Sequence, residues 1–162
     1  MADVIKEIIT PIRLEYTMIA GTAQRPFLRG LANGRLLAQR CPSCRKVYIP
    51  PRGSCPTCAV PTKEEVEVSD KGTITTFCIV DLPFYGQAVE IPYVCASILL
   101  DGADIPFFHL IQEASVENVR MGTRVQAVWE DADKRTANFT AIKYFKPSGE
   151  PDAAYETYKD HI

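Results

Sequence analysis

Two closely spaced cysteine pairs are the clearest candidate metal ligands in this sequence. Cys41 and Cys44 form one C-x2-C pair, and Cys55 and Cys58 form a second pair after ten intervening residues. A two-residue gap lets a short loop turn both sulfur atoms toward one ion, and zinc takes four thiolates about 2.3 Å away at tetrahedral corners. The spacing predicts a zinc ribbon, and zinc is favoured over iron because no redox context is visible. Two disulfides or four free thiols are the alternative.

Four protein ligands would close the coordination shell of this ion. No position is left for water or substrate, so the predicted site is structural and not catalytic. Structural zinc contributes about 10–16 kcal/mol to folding, against about 5–15 kcal/mol for the whole stability of a typical domain. Chelation is therefore expected to unfold the ribbon.

The other reactive side chains do not form a familiar catalytic pattern. Cys78 and Cys95 lie inside predicted strands, where a cysteine usually serves as a small buried apolar residue. His109 lies in an apolar strand and His161 beside the C-terminal residue, and neither has a sequence neighbour that suggests a dyad. The sequence has no GxSxG, Walker or GxGxxG motif. A hydrolase of acyl thioesters built on Cys78 and His109 is therefore the weakest functional hypothesis.

Three aromatic residues lie at or beside a predicted loop at residues 83–92. Phe84 and Tyr85 would lie near its tip and Tyr93 at its end. Large apolar side chains are costly to expose without a use. Capping of the core and contact with a partner protein are both open interpretations.

These residues must be positioned by a mainly β chain. Segments rich in β-branched and aromatic residues predict five strands, at 72–82, 93–101, 105–113, 124–131 and 138–147. Three strands, a short helix and two further strands is the order of an oligonucleotide/oligosaccharide-binding (OB) barrel. The predicted fold is a rubredoxin-like zinc ribbon followed by a five-stranded OB barrel.

Two short helices and an arm complete the prediction. Residues 26–33 predict a helix because Pro26 suits a first helical position and Gly34 the residue past its end. Ser115 as a cap and Gly122 as a stop predict another helix between the third and fourth strands. Residues 12–19 predict a strand or an extended arm. The expected units are an arm and helix (1–35), ribbon (36–65), barrel (66–147) and a polar tail (148–162) that frays or lies on the surface.

Composition and charge narrow the functional classes. The chain has 162 residues, 46% hydrophobic and 23% charged, which suits a packed domain. No apolar run approaches the roughly 20 residues that span a bilayer, and no signal peptide is evident. These two features, together with cysteines paired as metal ligands in a reducing compartment, predict a cytoplasmic protein without membrane contact. The formal charge is −2, yet residues 24–52 hold seven basic residues and no acidic one, which predicts one positive face: Arg25, Arg29, Arg35, Arg40, Arg45, Lys46 and Arg52.

A family resemblance rests on the stretch FLRGLANGRLLAQRCPSCRKVYIPPRGSCPTC, followed by GTITTF and the five strands. It resembles the zinc-ribbon OB-fold proteins known as domain of unknown function 35 (DUF35), over about residues 24–146. Its specific features are GRL, CPxC, a PPRG-like turn and the second cysteine pair. The resemblance implies that Cys41, Cys44, Cys55 and Cys58 are the zinc ligands, and it transfers no catalytic residue.

What the resemblance implies for function is a non-enzymatic subunit. The resemblance implies that such proteins form hetero-oligomers with thiolase-superfamily enzymes, including thiolases and steroid side-chain aldolases. The accessory subunit is expected to stabilise its partner or to help channel acyl-CoA. Arg25, Arg29 and Arg35 are the candidate contacts for CoA phosphates, with a solvated helix face as the plain alternative. Single-stranded nucleic-acid binding is the second hypothesis, since ribbons and OB barrels both serve it, but the acidic net charge disfavours it.

Overall fold

The computed structural model describes residues 6–8 and 14–162, which form one helix, a small sheet and a closed barrel. Helix α1 (Gln24–Ala32) comes first. The small sheet has strand order β2-β1-β3, with β1 Leu36–Arg40, β2 Val47–Tyr48 and β3 Glu64–Val68. The barrel has strand order β4-β5-β6-β8-β7, with β4 Lys71–Val80, β5 Tyr93–Leu100, β6 Phe107–Ile111, β7 Arg124–Trp129 and β8 Ile142–Pro147.

The barrel has the strand pairing of an OB fold. Its neighbours are antiparallel except for β6 and β8, which run parallel where Ile111 faces Phe145. Along β5, buried residues alternate with half-buried ones, so one face meets the core and the other faces outward. The predicted ribbon followed by a five-stranded barrel is confirmed. The change of sheet falls between Val68 and Lys71, because β3 pairs with β1 over its whole length.

One continuous apolar core joins helix, small sheet and barrel. Phe27 and Leu31, four residues apart on one side of α1, are fully buried. They pack in one cluster with residues of β1 and with barrel residues such as Ile98 and Phe145. The helix therefore fixes the ribbon against the barrel.

Helix α1 begins earlier than the sequence indicates, at Gln24 and not at Pro26. Its end matches the expectation: Gly34 has φ +69°, and the Arg35 N–H donates to the Gly30 carbonyl over 2.9 Å. Of the expected strand or arm at 12–19, residues 12 and 13 lie outside the described residues. Residues 14–19 are neither strand nor helix, so only the arm interpretation holds there.

The helix expected between the third and fourth barrel strands is wrong. A turn is found instead, in which the Asn118 N–H donates to the Ser115 carbonyl over 2.9 Å. The Ser115 hydroxyl accepts from the Glu117 N–H, a local bond that competes with helix formation. Gly122, with φ +89°, then donates to the Ile74 carbonyl and ties the chain to β4. A short 3₁₀ helix at Phe139–Ala141, which sequence patterns do not reveal, precedes β8 and delays its start to Ile142.

The C-terminal tail lies on the surface, but it is anchored and not frayed. The Ala153 N–H donates to the Gly122 carbonyl over 2.9 Å, and Tyr158 is buried. Arg124 bonds both Asp101 and Glu150, which joins the tail to the barrel. Within the described part of the chain, no helix has the length and apolar character to cross a membrane.

Asp104 joins the ribbon to the barrel. Its Oδ2 accepts from the buried Val47 N–H over 2.8 Å, its own N–H donates to the Val47 carbonyl over 3.0 Å, and its carbonyl lies 2.9 Å from Nδ1 of His161. Strand β2 is therefore held by a residue far away in sequence.

We expect Asp104→Ala to lower the free energy of unfolding by about 1–3 kcal/mol, because the Val47 N–H would be buried without an acceptor. Denaturant melts monitored by circular dichroism measure the change. Asp104→Asn is the matched control, since its amide oxygen can still accept this bond. An alanine variant as stable as the wild type would contradict this role of the carboxylate.

Candidate metal centre and outer face

The four predicted ligands meet at one end of the small sheet. Cys41 follows β1 directly, Cys44 lies in the β1–β2 loop, and Cys55 and Cys58 lie in the loop that leads to β3. Their sulfur atoms all lie within 4.8 Å of one another, and those of Cys44 and Cys55 are 3.7 Å apart. Cys41 and Cys55 are buried, whereas Cys44 is exposed.

The first cysteine loop is closed by backbone hydrogen bonds. The Cys41 N–H donates to the Lys46 carbonyl over 2.9 Å, and the Arg45 N–H donates back to the Cys41 carbonyl over 3.1 Å. Arg45 takes a positive φ of 64° to complete the turn. The Cys44 N–H then points at the Cys41 sulfur, 3.4 Å away. This is the local geometry that a two-residue gap requires.

The second cysteine loop repeats the first. The Cys55 N–H donates to the Val60 carbonyl over 2.9 Å, and the Ala59 N–H donates to the Cys55 carbonyl over 2.9 Å. Ala59 takes φ +53°, at the same place in its loop as Arg45. The Cys58 N–H lies 3.4 Å from the Cys55 sulfur. Two equivalent loops therefore present four sulfur atoms to one point between them.

The cluster fits structural zinc. A tetrahedron with zinc–sulfur bonds of about 2.3 Å has sulfur–sulfur edges of about 3.8 Å, close to the 3.7 Å between Cys44 and Cys55. A set of four sulfur ligands is typical of zinc or of iron–sulfur centres. Four thiolates this close would repel one another without a cation. With every corner taken by protein, the ion would hold the loops together and would not bind substrate.

Tyr48 is a further member of the centre that the sequence analysis missed. Its hydroxyl lies 3.2 Å from the Cys55 sulfur, and its side chain is buried. This hydrogen bond, opposed by burial, lowers the pKa of Cys55 to about 6, while the same bond together with burial raises the pKa of Tyr48 to about 12. A zinc-bound Cys55 sulfur would carry no proton, so Tyr48 would donate this bond and stabilise the thiolate. Its only sequence signal is an aromatic residue between the two cysteine pairs.

Of the three arginines predicted to contact phosphate, Arg29 and Arg35 line one shallow surface pocket, and Arg25 does not line it. The Arg25 Nε lies 3.4 Å from the Ala20 carbonyl, and Arg29 is exposed one turn further along α1. Arg35 donates two hydrogen bonds to Glu67, at 3.0 and 2.6 Å. These bonds lower the pKa of the Glu67 carboxyl. A phosphate at Arg35 would have to displace this carboxylate.

The predicted positive face is partly neutralised by β3. Glu64 pairs with both Arg40 and Arg45, at 3.1 and 3.2 Å, and Glu67 pairs with Arg35. Three of the seven basic residues of 24–52 thus meet acidic residues of a strand that lies outside that segment. Sequence counts alone could not show this pairing.

The outer surface of β5, β6 and the part of β4 from Thr76 onward is uncharged. The strand register places Cys78, Cys95 and Leu110 in one row and Thr76, Ser97 and Phe108 in the next. Val80 faces Tyr93 in a third row. We call this surface the outer face, and it comprises Thr76, Cys78, Val80, Tyr93, Cys95, Ser97, Phe108 and Leu110. Phe108, on β6 at one corner of this face, is 64% exposed.

The loop between β4 and β5 extends the outer face with further apolar side chains. Leu82, Phe84 and Tyr85 are 75%, 56% and 81% exposed. Core capping is therefore excluded for Phe84 and Tyr85, while Tyr93 is half-buried on the outer face itself. Leu82 and Phe108 belong to this apolar surface but were not predicted from the sequence, because single apolar residues in strands usually indicate core.

Cys78 and His109 lie on opposite sides of the sheet. Cys78 is exposed on the outer face, whereas His109 points inward and stacks on Phe107 at a centroid distance of 5.9 Å. Phe145 contacts the same ring edge-on at 5.5 Å. The two side chains therefore cannot form the catalytic pair of the hydrolase hypothesis.

The inward position of His109 makes stability depend on pH. Its Nδ1 is buried, without a hydrogen-bond partner among the residues that the structure describes, and burial lowers its pKa. The unfolded state, with a pKa of about 6.5, therefore binds the proton first as the pH falls. We expect stability to decrease below about pH 6.5, by at most about 1.4 kcal/mol per pH unit, and His109→Phe to remove that part of the decrease. Urea melts between pH 5 and 8 test this, and identical pH profiles would contradict it.

Comparison with known proteins assigns the class. Two family models match adjacent parts of the chain: "ChsH2, rubredoxin-like zinc ribbon domain" over residues 29–64 and "ChsH2, C-terminal OB-fold domain" over residues 65–130. The fold and the cysteine cluster thus define a zinc-ribbon OB-fold protein. A "DUF35 domain-containing scaffold protein" of Methanocaldococcus jannaschii is 36% identical over 104 residues, which are 60% of this chain and 72% of that protein. The chain belongs to the DUF35 family.

Other relatives share the fold at lower identity. A "Probable enoyl-CoA hydratase alpha subunit" of Thermomonospora curvata is 29% identical over 99 residues, 61% of this chain but only 30% of that protein. A solved "Ltp2-ChsH2(DUF35) aldolase" chain matches with TM-score 0.62 and 21% identity, over 82% of this chain and 99% of the other. A Sulfolobus solfataricus DUF35 protein matches with TM-score 0.61 and 18% identity, over 79% and 87%. These two likenesses show the fold.

Proposed function

We propose that this protein is a non-catalytic accessory subunit that docks through the outer face on a thiolase-superfamily enzyme acting on acyl-CoA. The observation that carries the proposal is an uncharged, partly aromatic surface left open on an otherwise charged protein. Protein interfaces lose charged residues at their centre and gain aromatic ones. A subunit of this kind stabilises its partner or helps it to channel acyl-CoA.

The position of this surface also supports docking. OB folds bind ligands on the face of their second and third strands and beside the loop between the first and second. In this barrel those strands are β5 and β6, and that loop carries Leu82, Phe84 and Tyr85. The tail covers a different part of the barrel, around Gly122 and Asp104, and leaves the outer face open.

The same surface disfavours single-stranded nucleic acid as the ligand. An OB fold that binds nucleic acid combines stacking aromatics with a basic groove. The outer face has aromatics but no basic residue, and Arg35, Arg40 and Arg45 are paired with glutamates. A protein surface is the better complement to this face.

The names of relatives agree with a subunit role. One relative is described as a scaffold protein, one as a hydratase subunit, and one solved structure as an aldolase that contains a DUF35 chain. The proposal extends this to a thiolase-superfamily partner in the cytoplasm, where thiols stay reduced. Arg25, Arg29 and Arg35 are the proposed contacts for the phosphates of partner-bound CoA, and at Arg35 the phosphate would displace the exposed Glu67 carboxylate.

Co-expression with a thiolase-superfamily protein from the same genome tests this function. We expect one complex on size-exclusion chromatography that contains both chains in fixed proportion and stoichiometric zinc. The isolated accessory chain should not turn over acyl-CoA. Separate elution of every thiolase-superfamily protein of that genome, or acyl-CoA turnover by the isolated chain, would contradict the proposal.

A further inference from the structure

Cys78 and Cys95 form a second pair of cysteines, separate from the metal centre. The strand register places them directly opposite each other on β4 and β5. Both belong to the outer face, where Cys78 is exposed and Cys95 half-buried. Burial, and then the proximity of Cys78, raises the pKa of the Cys95 thiol, which agrees with two sulfur atoms near each other.

The pairing geometry permits a bond between them. Directly opposed residues of antiparallel strands have Cα atoms about 4.5–5.5 Å apart, within the range of about 4.4–6.8 Å found in disulfides. Their Cβ atoms lie about 4.5–5.5 Å apart, whereas a disulfide needs about 3.5–4.5 Å. Bond formation therefore requires the strands to approach by about an ångström. The pair lies two residue pairs before the last one of the hairpin, Val80 and Tyr93, where the strands can adjust.

We propose that Cys78 and Cys95 are a reversible redox site that a peroxide oxidises to a cross-strand disulfide. The Cys78 thiolate attacks one peroxide oxygen, which gives a sulfenic acid and, after protonation of the leaving hydroxide, water. The Cys95 sulfur attacks the sulfenic sulfur, loses its proton and releases a second water. Two electrons pass from the sulfurs to the peroxide, and a dithiol reductant returns them by exchange.

Position and strain make this bond a labile one. A disulfide that pulls two strands together is more easily reduced than a relaxed one, and exposed or strained disulfides are those that respond to redox change. Because the pair lies on the outer face, a docked partner would cover it. This protection, unlike the disulfide itself, rests on the proposed function.

Peptide mapping of the zinc-loaded, full-length chain tests the site. After treatment with hydrogen peroxide and alkylation of free thiols, we expect a Cys78–Cys95 linked peptide, a mass loss of about 2 Da for one disulfide, unchanged zinc content and full reversal by dithiothreitol. Cys78→Ser should abolish the link, and Cys95→Ser should instead leave a sulfenic acid at Cys78 that dimedone traps. The proposal would be overturned if Cys78 and Cys95 were alkylated after peroxide treatment as completely as in the untreated chain. Disulfides found only among the metal ligands would overturn it as well.

A parallel sample in complex with the partner separates the two proposals. Oxidation at least ten times slower in the complex supports both the redox site and docking on the outer face. Oxidation equally fast in an intact complex supports the redox site and contradicts docking on this face.

Discussion

Cys41→Ser is expected to abolish stoichiometric zinc binding and to unfold the ribbon between residues 41 and 60. The substitution removes a buried ligand from a cluster in which all four sulfurs lie within 4.8 Å. Structural zinc contributes about 10–16 kcal/mol, so losing a ligand removes more stabilisation than the local apolar contacts can replace. The small cluster of Cys41, Tyr48 and Cys55 has few other buried residues. A strong chelator should have the same effect on the wild type.

Elemental analysis and hydrogen–deuterium exchange measure this outcome. We expect exchange to rise around residues 41–60 while β5, in the centre of the common core, stays protected. Cys78→Ser is the matched control, because it removes a thiol outside the cluster and should retain zinc. A Cys41→Ser protein with full zinc content and wild-type exchange would show that the cluster does not hold the ribbon.

Phe108→Glu is expected to weaken docking on the partner by about 30-fold or more. Phe108 is the most exposed aromatic side chain of the outer face, with 64% of its surface exposed, so the substitution removes little from the core. Aromatic hot-spot residues in interfaces contribute at least about 2 kcal/mol, which corresponds to about 30-fold in Kd. A buried, unpaired carboxylate adds a further cost. Calorimetric titration with the purified partner gives the change in Kd.

Two variants control for nonspecific effects of the new charge. Tyr155→Glu introduces the same carboxylate at a 54% exposed aromatic of the tail, and Phe108→Tyr keeps the aromatic ring. Both should bind within about threefold of the wild type, the scale of an ordinary surface substitution of about 0.5 kcal/mol. Equal binding by Phe108→Glu, with its melting temperature and zinc content unchanged, would place the interface elsewhere.

The parts of the structure that follow from local pattern are predictable from the sequence. The C-x2-C pairs specify their own loops, since each loop is closed by bonds between residues at most five positions apart. The barrel strands are predictable from the sequence because they are rich in β-branched and aromatic residues, which alternate between core and surface. Gly34 marked the end of α1 for an equally local reason, its positive φ.

Contacts that join distant segments are not predictable from local sequence pattern. Asp104 bonds Val47 across 57 positions, and Arg35 pairs with Glu67 across 32. Neither pairing leaves a local pattern, so the ribbon–barrel joint was missed and the positive face was overestimated. A turn replaces the helix predicted near Ser115, because the chain must return to β4 at Gly122.

The outer face shows the same limit at the level of function. Phe108, Cys95 and Leu110 belong to two rows on two strands, and only the strand register reveals that they share one surface. In the sequence each of them is indistinguishable from a core residue. The tail was likewise underestimated, because Tyr158 is buried against a segment more than thirty positions earlier, at Gly122.

Site-specific photocrosslinking tests the central claim, docking through the outer face, most directly. A photoreactive phenylalanine analogue would replace Phe108 in one preparation and Tyr155 in another, each in the intact complex. We predict a crosslink from position 108 to a thiolase-superfamily protein, identified by mass spectrometry, and none from position 155. A crosslink from position 155 alone, or none from position 108 in a complex verified by chromatography, would contradict the account.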